Sequence, residues 1–294
     1  MQRHDVYEAI TDRVIAAIEV GAGEWQMPWH KSGVSRPVNA HTKKPYRGVN
    51  VVALWAAADA CGYSSGFWGT YKQWREVEAQ VGKGERASLI VFWKELEREV
   101  EDEKTGERER RKTLFARASW VFNADQVDGW TPATPPERNL VQALDHAEAF
   151  TAATGADIRY GGDRAYYRRS DDHVQMPERE RFTGSATSTP TEACYATLLH
   201  ELTHWTGHES RLDRDLSGRF GNEAYAIEEL VAELGAAFLC ADLSITNTPR
   251  PDHAAYIANW LEVLKRDNRA IFTAAQKAAQ ATDYLASLQP EASA

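Results

Sequence analysis

The sequence predicts an α+β protein of two differently built domains: an N-terminal α+β domain with a long β-hairpin, and a C-terminal, mostly helical domain with a small β-sheet. Three observations carry this. Eight of the ten tryptophans precede residue 131. Residues 1–130 balance 19 basic against 19 acidic side chains while 131–294 hold 15 against 24, so the whole net charge of −9 lies in the second half. Between the halves, Trp130-Thr131-Pro132-Ala133-Thr134-Pro135-Pro136 sets three prolines in five residues, which suit an extended spacer and resist helix and strand interiors. The expected division is 1–130, a linker at 131–136, and 137–294.

The elements follow in order. Val6, Ile10, Val14, Ala17 and Ile18, three and four apart, predict an amphipathic helix over 4–20 that Gly21 and Gly23 end. Residues 88–101 and 110–123, rich in β-branched and aromatic residues and joined by Glu103-Lys104-Thr105-Gly106-Glu107, read as a hairpin with a charged, solvated tip. After the linker come a helix over 137–154 and short strands at 157–160, 164–168 and 173–176, divided by Gly161-Gly162 and Asp171-Asp172. Helices follow at 190–206, 224–243, 252–265 and 269–288, with a glycine-bearing loop at 218–221.

Hydrophobic residues make up 43% and charged residues 26%, which excludes disordered and collagenous classes. The longest apolar stretches, 49–61 and 234–241, fall short of the roughly 18 residues of a membrane span. The first residues lack a basic start followed by an apolar run, so a cytoplasmic protein without a membrane partner is expected. Cys61, Cys194 and Cys240 form no CxxC pair and are expected to be buried, reduced thiols.

The sharpest chemical signal is His200-Glu201-Leu202-Thr203-His204, in a helix marked by Thr189-Pro190-Thr191-Glu192 as N-cap, first-turn proline and capping-box glutamate. At 3.6 residues per turn the two histidines share a face and can reach one metal ion. Glu201 is then placed as general base toward a water whose acidity the metal raises. So short a motif recurs by chance, and a third ligand decides. The next helix carries Glu228-Glu229-Leu230-Val231-Ala232-Glu233. Glu229 is the expected third ligand, and Glu233, one turn later, is placed to fix the tautomer of a ligand histidine. Glu228 is the rival ligand, but it points about 100° away from Glu229 around the helix. Zinc suits this donor set best, with Mn2+ another fit. Ser210 stands where a metzincin would carry its third histidine. Tyr195, Tyr225 and Arg211 are open as oxyanion stabilisers or as packing residues, and His208 as a loop or site residue.

From Trp25 to Ala58 there is no acidic residue, while Lys31, Arg36, Lys43, Lys44 and Arg47 lie among Trp25, Trp29 and Tyr46. Cations that track phosphates beside rings that stack on unpaired bases suit single-stranded nucleic acid; a tryptophan core with a solvated lysine face is the plainer alternative. Lys83, in Gly82-Lys83-Gly84-Glu85-Arg86, is equally open, and that stretch lacks the ending of a nucleotide-triphosphate loop.

Both halves together resemble the ArdC-type antirestriction proteins of conjugative plasmids and phages. In the first half the resemblance rests on Trp25-Gln26-Met27-Pro28-Trp29, Pro45-Tyr46-Arg47-Gly48-Val49-Asn50, Tyr71-Lys72-Gln73-Trp74, Val81-Gly82-Lys83-Gly84-Glu85 and the run 121–129. It implies a single-stranded DNA-binding domain and adds Lys72 to the candidate contacts. In the second half it rests on the run 200–208, Gly218-Arg219-Phe220-Gly221, the run 228–233 and Tyr256-Ile257-Ala258-Asn259-Trp260-Leu261. It implies a zincin-like metallopeptidase domain, with His200, His204 and Glu229 on the metal, Glu201 catalytic, and a host protein as candidate substrate.

Overall fold

A computed structural model describes residues 3–22, 35–101, 108–131, 139–185, 188–215, 223–246 and 253–290. Trp25, Trp29 and Lys31, linker residues 132–136 and the glycine loop at 218–221 lie outside the described residues.

Helix α1 (Arg3–Ala22) buries Val6, Ile10, Val14 and Ile18, the stripe its spacing predicts. Strand β1 (Val38–Asn39) precedes helix α2 (Val49–Cys61), in which seven of the first eight residues are buried and which ends on Gly62 in the left-handed conformation, φ 69°. Strand β2 (Phe67–Gly69) leads into helix α3 (Tyr71–Glu76), started by a Thr70–Gln73 capping box, and strand β3 (Gln80–Val81). The hairpin of β4 (Ser88–Glu101) and β5 (Arg108–Asn123) pairs Ser88 with Val121 and extends to Glu101 opposite Arg108. The main sheet has the order β1-β2-β5-β4, and β3 pairs separately with β6 (Val127–Asp128).

In the second half, helix α4 (Leu140–Ala153) is capped by Asn139. It is followed by β7 (Asp157–Tyr160), β8 (Tyr166–Arg168) and β9 (His173–Met176), ordered β7-β9-β8 with β7 and β9 parallel. Four helices follow among the described residues: α5 (Pro190–Trp205), α6 (Glu223–Asp242), α7 (His253–Arg266) and α8 (Ala270–Ser287). None of the described helices is long and apolar enough to cross a membrane.

Each half has core clusters of its own, around Trp74 and Trp68 in the first and around Leu198 and Leu202 in the second, and a further cluster is shared between them. One cluster joins Ile10 and Val14 of α1 and Val52 and Trp55 of α2 to Phe238 of α6, Trp260 of α7 and Ile271 of α8. The Trp55 and Phe238 rings lie 5.7 Å apart. Fully burying side chains of this size stabilises by about 1.5–3 kcal/mol each, so the shared cluster contributes to the stability of both halves. Polar contacts tie the same seam: Thr11 Oγ1 donates to the Asn268 carbonyl at 2.8 Å, Lys265 reaches Glu19 at 2.6 Å, and Arg36 reaches Asp242 at 3.1 Å. A second cluster packs α4, β9 and α5 against α6 and α8 through Ala147, Met176, Leu198, Leu202 and Leu239.

The cysteine expectation needs one correction. Cys194 and Cys240 are buried, but Cys61 is exposed, because it is the last residue of α2, where the helix runs out of the core into solvent at Gly62.

Candidate metal centre and nucleic-acid face

Helix α5 begins where the sequence says it should: the Thr189 hydroxyl accepts from the Glu192 amide, and Glu192 Oε2 accepts in return from the Thr189 amide at 2.9 Å. Glu192 also accepts from the Thr246 amide at 2.9 Å, pinning the start of α5 to the segment beyond α6. Further along, α5 and α6 pack at Gly235, where an added Cβ would stand 2.5 Å from Thr203 Cγ2. Thr203 is fully buried and donates to the Leu199 carbonyl at 2.8 Å, so it is not free to yield. A side chain at 235 would push apart the two helices that carry the site.

At that crossing His200, His204 and Glu229 converge, each offering one ligand atom within 4.8 Å of the others. The donors are ordered: Glu229 Oε2 is 3.5 Å from His200 Nε2, and Glu229 Oε1 is 3.6 Å from His204 Nε2. The opposite ring nitrogens face two other carboxylates. Glu233 Oε2 lies 3.8 Å from His200 Nδ1, and Glu228 Oε1 lies 3.2 Å from His204 Nδ1. Both His200 nitrogens are buried without a hydrogen-bond partner. Such a pair of orphaned imidazole nitrogens is costly in an apolar interior and suits a metal on one side and a carboxylate on the other. The donor set fits a divalent ion with a coordination position left open.

Glu228 is held in turn by Arg214, whose Nε and Nη2 donate to its two oxygens at 3.1 and 2.8 Å. Arg214 also donates to Thr206 Oγ1 at 2.7 Å and to the Thr203 carbonyl at 2.6 Å, so one buried guanidinium closes the end of α5 and fixes the carboxylate on His204. Burial opposes charge on Glu228, yet its bonds to His204 and Arg214 outweigh that and hold its carboxyl below the ordinary range. Burial likewise opposes protonation of His204, and the bond to Glu228 with the charges of Glu229, Glu228 and Glu201 outweighs it, raising the imidazole above its usual value. Glu201 is buried on α5 between the two histidines in sequence.

Residues 4–122 match the N-terminal domain of anti-restriction factor ArdC, and residues 145–277 match the zincin-like metallopeptidase family. The crystal structure of the antirestriction ArdC protein from plasmid R388 in its metal-free form superposes with a TM-score of 0.78 at 41% identity, covering 97% of this chain and 98% of that one. The chain belongs to the ArdC antirestriction family. The Mn(II)-bound structure of the same R388 protein gives 0.76 at 39% identity, over 98% of this chain and 100% of that one. The protein y4eC of Sinorhizobium fredii is 52% identical over 98% of this chain and 94% of its own length. A DNA primase TraC of Escherichia coli is 39% identical over 95% of this chain, which spans only 27% of that protein.

With a Mn(II)-bound relative and a His-His-Glu group at the crossing, this ArdC-family chain has a divalent-metal site. Glu228, read from sequence as a rival ligand, faces the far nitrogen of His204 instead. Arg214, which holds Glu228 there, carried no local signal, because its burial follows from the packed fold. Tyr195 turns its hydroxyl to Glu148 on α4. Arg211 stacks over Trp205 at 3.8 Å and bonds Asp172 and Tyr167, and His208 Nδ1 lies 2.8 Å from Ser210 Oγ in the loop. Tyr225 packs against the shared core. These four have structural work in the described protein.

The candidate DNA contacts of this ArdC-type chain divide. Arg36 is half-buried, ion-paired with Asp242 and 5.1 Å over the Phe238 ring, so its charge is already balanced by the opposing half. Lys43 is exposed with its ammonium 5.5 Å from the Trp130 ring. Lys44 and Lys83 are exposed, Lys72 pairs with Glu76 at 3.6 Å, and Tyr46 is half-buried and accepts from Asn39 at 3.1 Å. Arg47 is exposed and paired with Asp283 of α8. Sequence reasoning passed over the exposed rings: Phe92 is 62%, Tyr71 47%, Trp120 47% and Trp93 42% exposed, the first three beside Lys72 and Arg117. Two adjacent aromatics at 92–93, too many for a strand burying only alternate residues, were their sequence signal.

Proposed function

We propose that this chain is a cytoplasmic antirestriction protein of a mobile element that binds single-stranded DNA entering a cell and protects it from host restriction. The observation that supports this reading best is the solvent-exposed rings Tyr71, Phe92 and Trp120 beside Lys72 and Arg117, in a chain that matches ArdC along its length. Exposing so much aromatic surface is unfavourable unless a ligand covers it, and stacking of unpaired bases returns about 1–3 kcal/mol per base. We take the working division to be 1–130 for DNA and 137–294 for the metal site.

The second half of the proposal is a peptidase-type reaction on a protein substrate. His200, His204 and Glu229 would hold the ion, zinc or manganese, which supplies Lewis acidity toward a water and a peptide carbonyl. Glu228 accepts from the far ring nitrogen of His204, and Glu233, 3.8 Å from the far nitrogen of His200, faces that ring with a carboxylate. Glu201 takes the proton of the attacking water and delivers it to the leaving amine. The alternative is a DNA-binding protein whose zincin-like domain is a non-catalytic, metal-stabilised scaffold; the metal-free and Mn(II)-bound structures of the R388 relative superpose almost equally on this chain.

The test is survival of unmodified plasmid DNA entering a restricting host that expresses either the natural protein or Glu201→Gln, each confirmed folded and metal-loaded. Protection by the natural protein supports the antirestriction reading, and its failure in the variant brings hydrolysis into the mechanism. Equal protection by the variant leaves DNA binding as the whole of the activity.

A further inference from the structure

We propose that the DNA strand lies in the groove between the two halves, with helix α8 of the C-terminal half as one of its walls. This rests on the reading of the chain as a single-stranded DNA binder and extends its site beyond the N-terminal half.

The groove encloses about 850 Å³. On one side stand Lys44, Tyr46 and Arg47, the segment that follows β1, with Phe92 and Trp93 of β4 at one part of the rim. On the other side Arg269, Thr273, Gln276, Gln280 and Asp283 line the groove. Their spacings of four, three, four and three place them on one face of α8, and all five are exposed while Ala270, Ala274, Ala275, Ala278 and Ala281 face the core. Fourteen residues of helix span about 21 Å, enough to run beside several nucleotides.

The chemistry of the lining selects the ligand. In a chain of net charge −9, the groove gathers Lys44, Arg47 and Arg269 against one acid, Asp283, which is already paired with Arg47. Arg269 reaches from the start of α8 to place its guanidinium 5.3 Å over the Tyr7 ring of α1, which also lines the groove. Cations on both walls, rings at the rim and the neutral amides of Gln276 and Gln280 match a phosphate backbone with unpaired bases. A cleft of this volume falls in the range of small-ligand sites.

The test uses the full chain and a fluorescein-labelled oligothymidylate of 20 nucleotides, followed by anisotropy over a salt series, with a duplex of the same length as competitor. Arg269→Gln is expected to weaken binding about three- to tenfold at low salt and to flatten the slope of log affinity against log salt by about 0.7, the loss of one phosphate contact. Asp283→Asn removes the acid and frees Arg47, and is expected to tighten binding by a similar factor, a gain that misfolding cannot imitate. The inference is overturned if the natural protein binds with a salt dependence that both variants leave unchanged, or if the duplex competes as well as the single strand. Absence of salt-dependent binding by the natural protein overturns this inference together with the reading it extends.

Discussion

Replacing Arg214 by methionine isolates what the buried ion pair behind the metal site contributes. Arg214 and Glu228 are 6% and 8% exposed, and the guanidinium donates twice to the carboxylate, at 3.1 and 2.8 Å. Methionine keeps most of the stem volume but removes the charge, the two carboxylate bonds, and the bonds to Thr206 Oγ1 and the Thr203 carbonyl. Glu228 is left buried with His204 as its remaining partner. Breaking a buried pair from one side costs about 3–5 kcal/mol, because the stranded charge keeps its desolvation penalty. The assay is urea unfolding in EDTA, so that metal binding does not enter the balance. Glu228→Gln in the Arg214→Met background removes the stranded charge and is expected to restore a large part of the loss, a non-additivity characteristic of residues in contact. A single variant within about 0.5 kcal/mol of the natural protein, or strict additivity in the double variant, refutes the assignment of a paired, desolvated charge here.

Three further outcomes are expected. Gly235→Ala gains about 1 kcal/mol of helix propensity on paper, but the new Cβ would stand 2.5 Å from the Thr203 methyl; net destabilisation and a weaker Mn(II) titration are expected, and unchanged metal affinity would show that the helix gap does not set the site. Of the three thiols, Cys61 alone is expected to react with a disulfide reagent in the folded protein, since Cys240 is buried and burial pushes the Cys194 thiol up to about 11; three equivalents at the first time point would contradict this. The Arg211 hydrogen bond holds the Asp172 carboxyl below its ordinary value, so its contribution is present above about pH 3.9 and fades as pH falls through the lower folded value; Asp172→Asn should flatten the acid limb of stability against pH, and an unaltered limb would count against the pair.

What could be read from the sequence was what is local. Periodicity, capping residues and turn chemistry depend on neighbours in the chain, so α1, the hairpin and the four C-terminal helices fall within a few residues of expectation. The divalent-metal site was legible for the same reason, as one turn of helix brings His200 and His204 to one face. Partnerships at long range were not legible. Composition shows that Arg36 and Arg47 are cations, but not that Asp242 and Asp283, more than two hundred residues on, stand opposite them. Nor does a stripe of apolar residues say what it will meet. The signal that did exist was α2: a helix apolar nearly all round belongs between two layers rather than at the edge of one, and here the second layer comes from the other half of the chain.

The interlocked core also bears on how such a gene can be shuffled. On the mobile-element reading proposed above, a crossover near the proline-rich segment would at first sight exchange one half for a homologue's. Yet each half presents to the other a surface of large apolar side chains, Ile10, Val14, Val52 and Trp55 against Phe238, Trp260 and Ile271. A chimera would inherit two faces shaped for different counterparts, with overpacking or voids at the seam costing about 1–3 kcal/mol or more per mismatch. Selection is then expected to favour breakpoints outside this pair of halves and to carry it between genomes as one cassette.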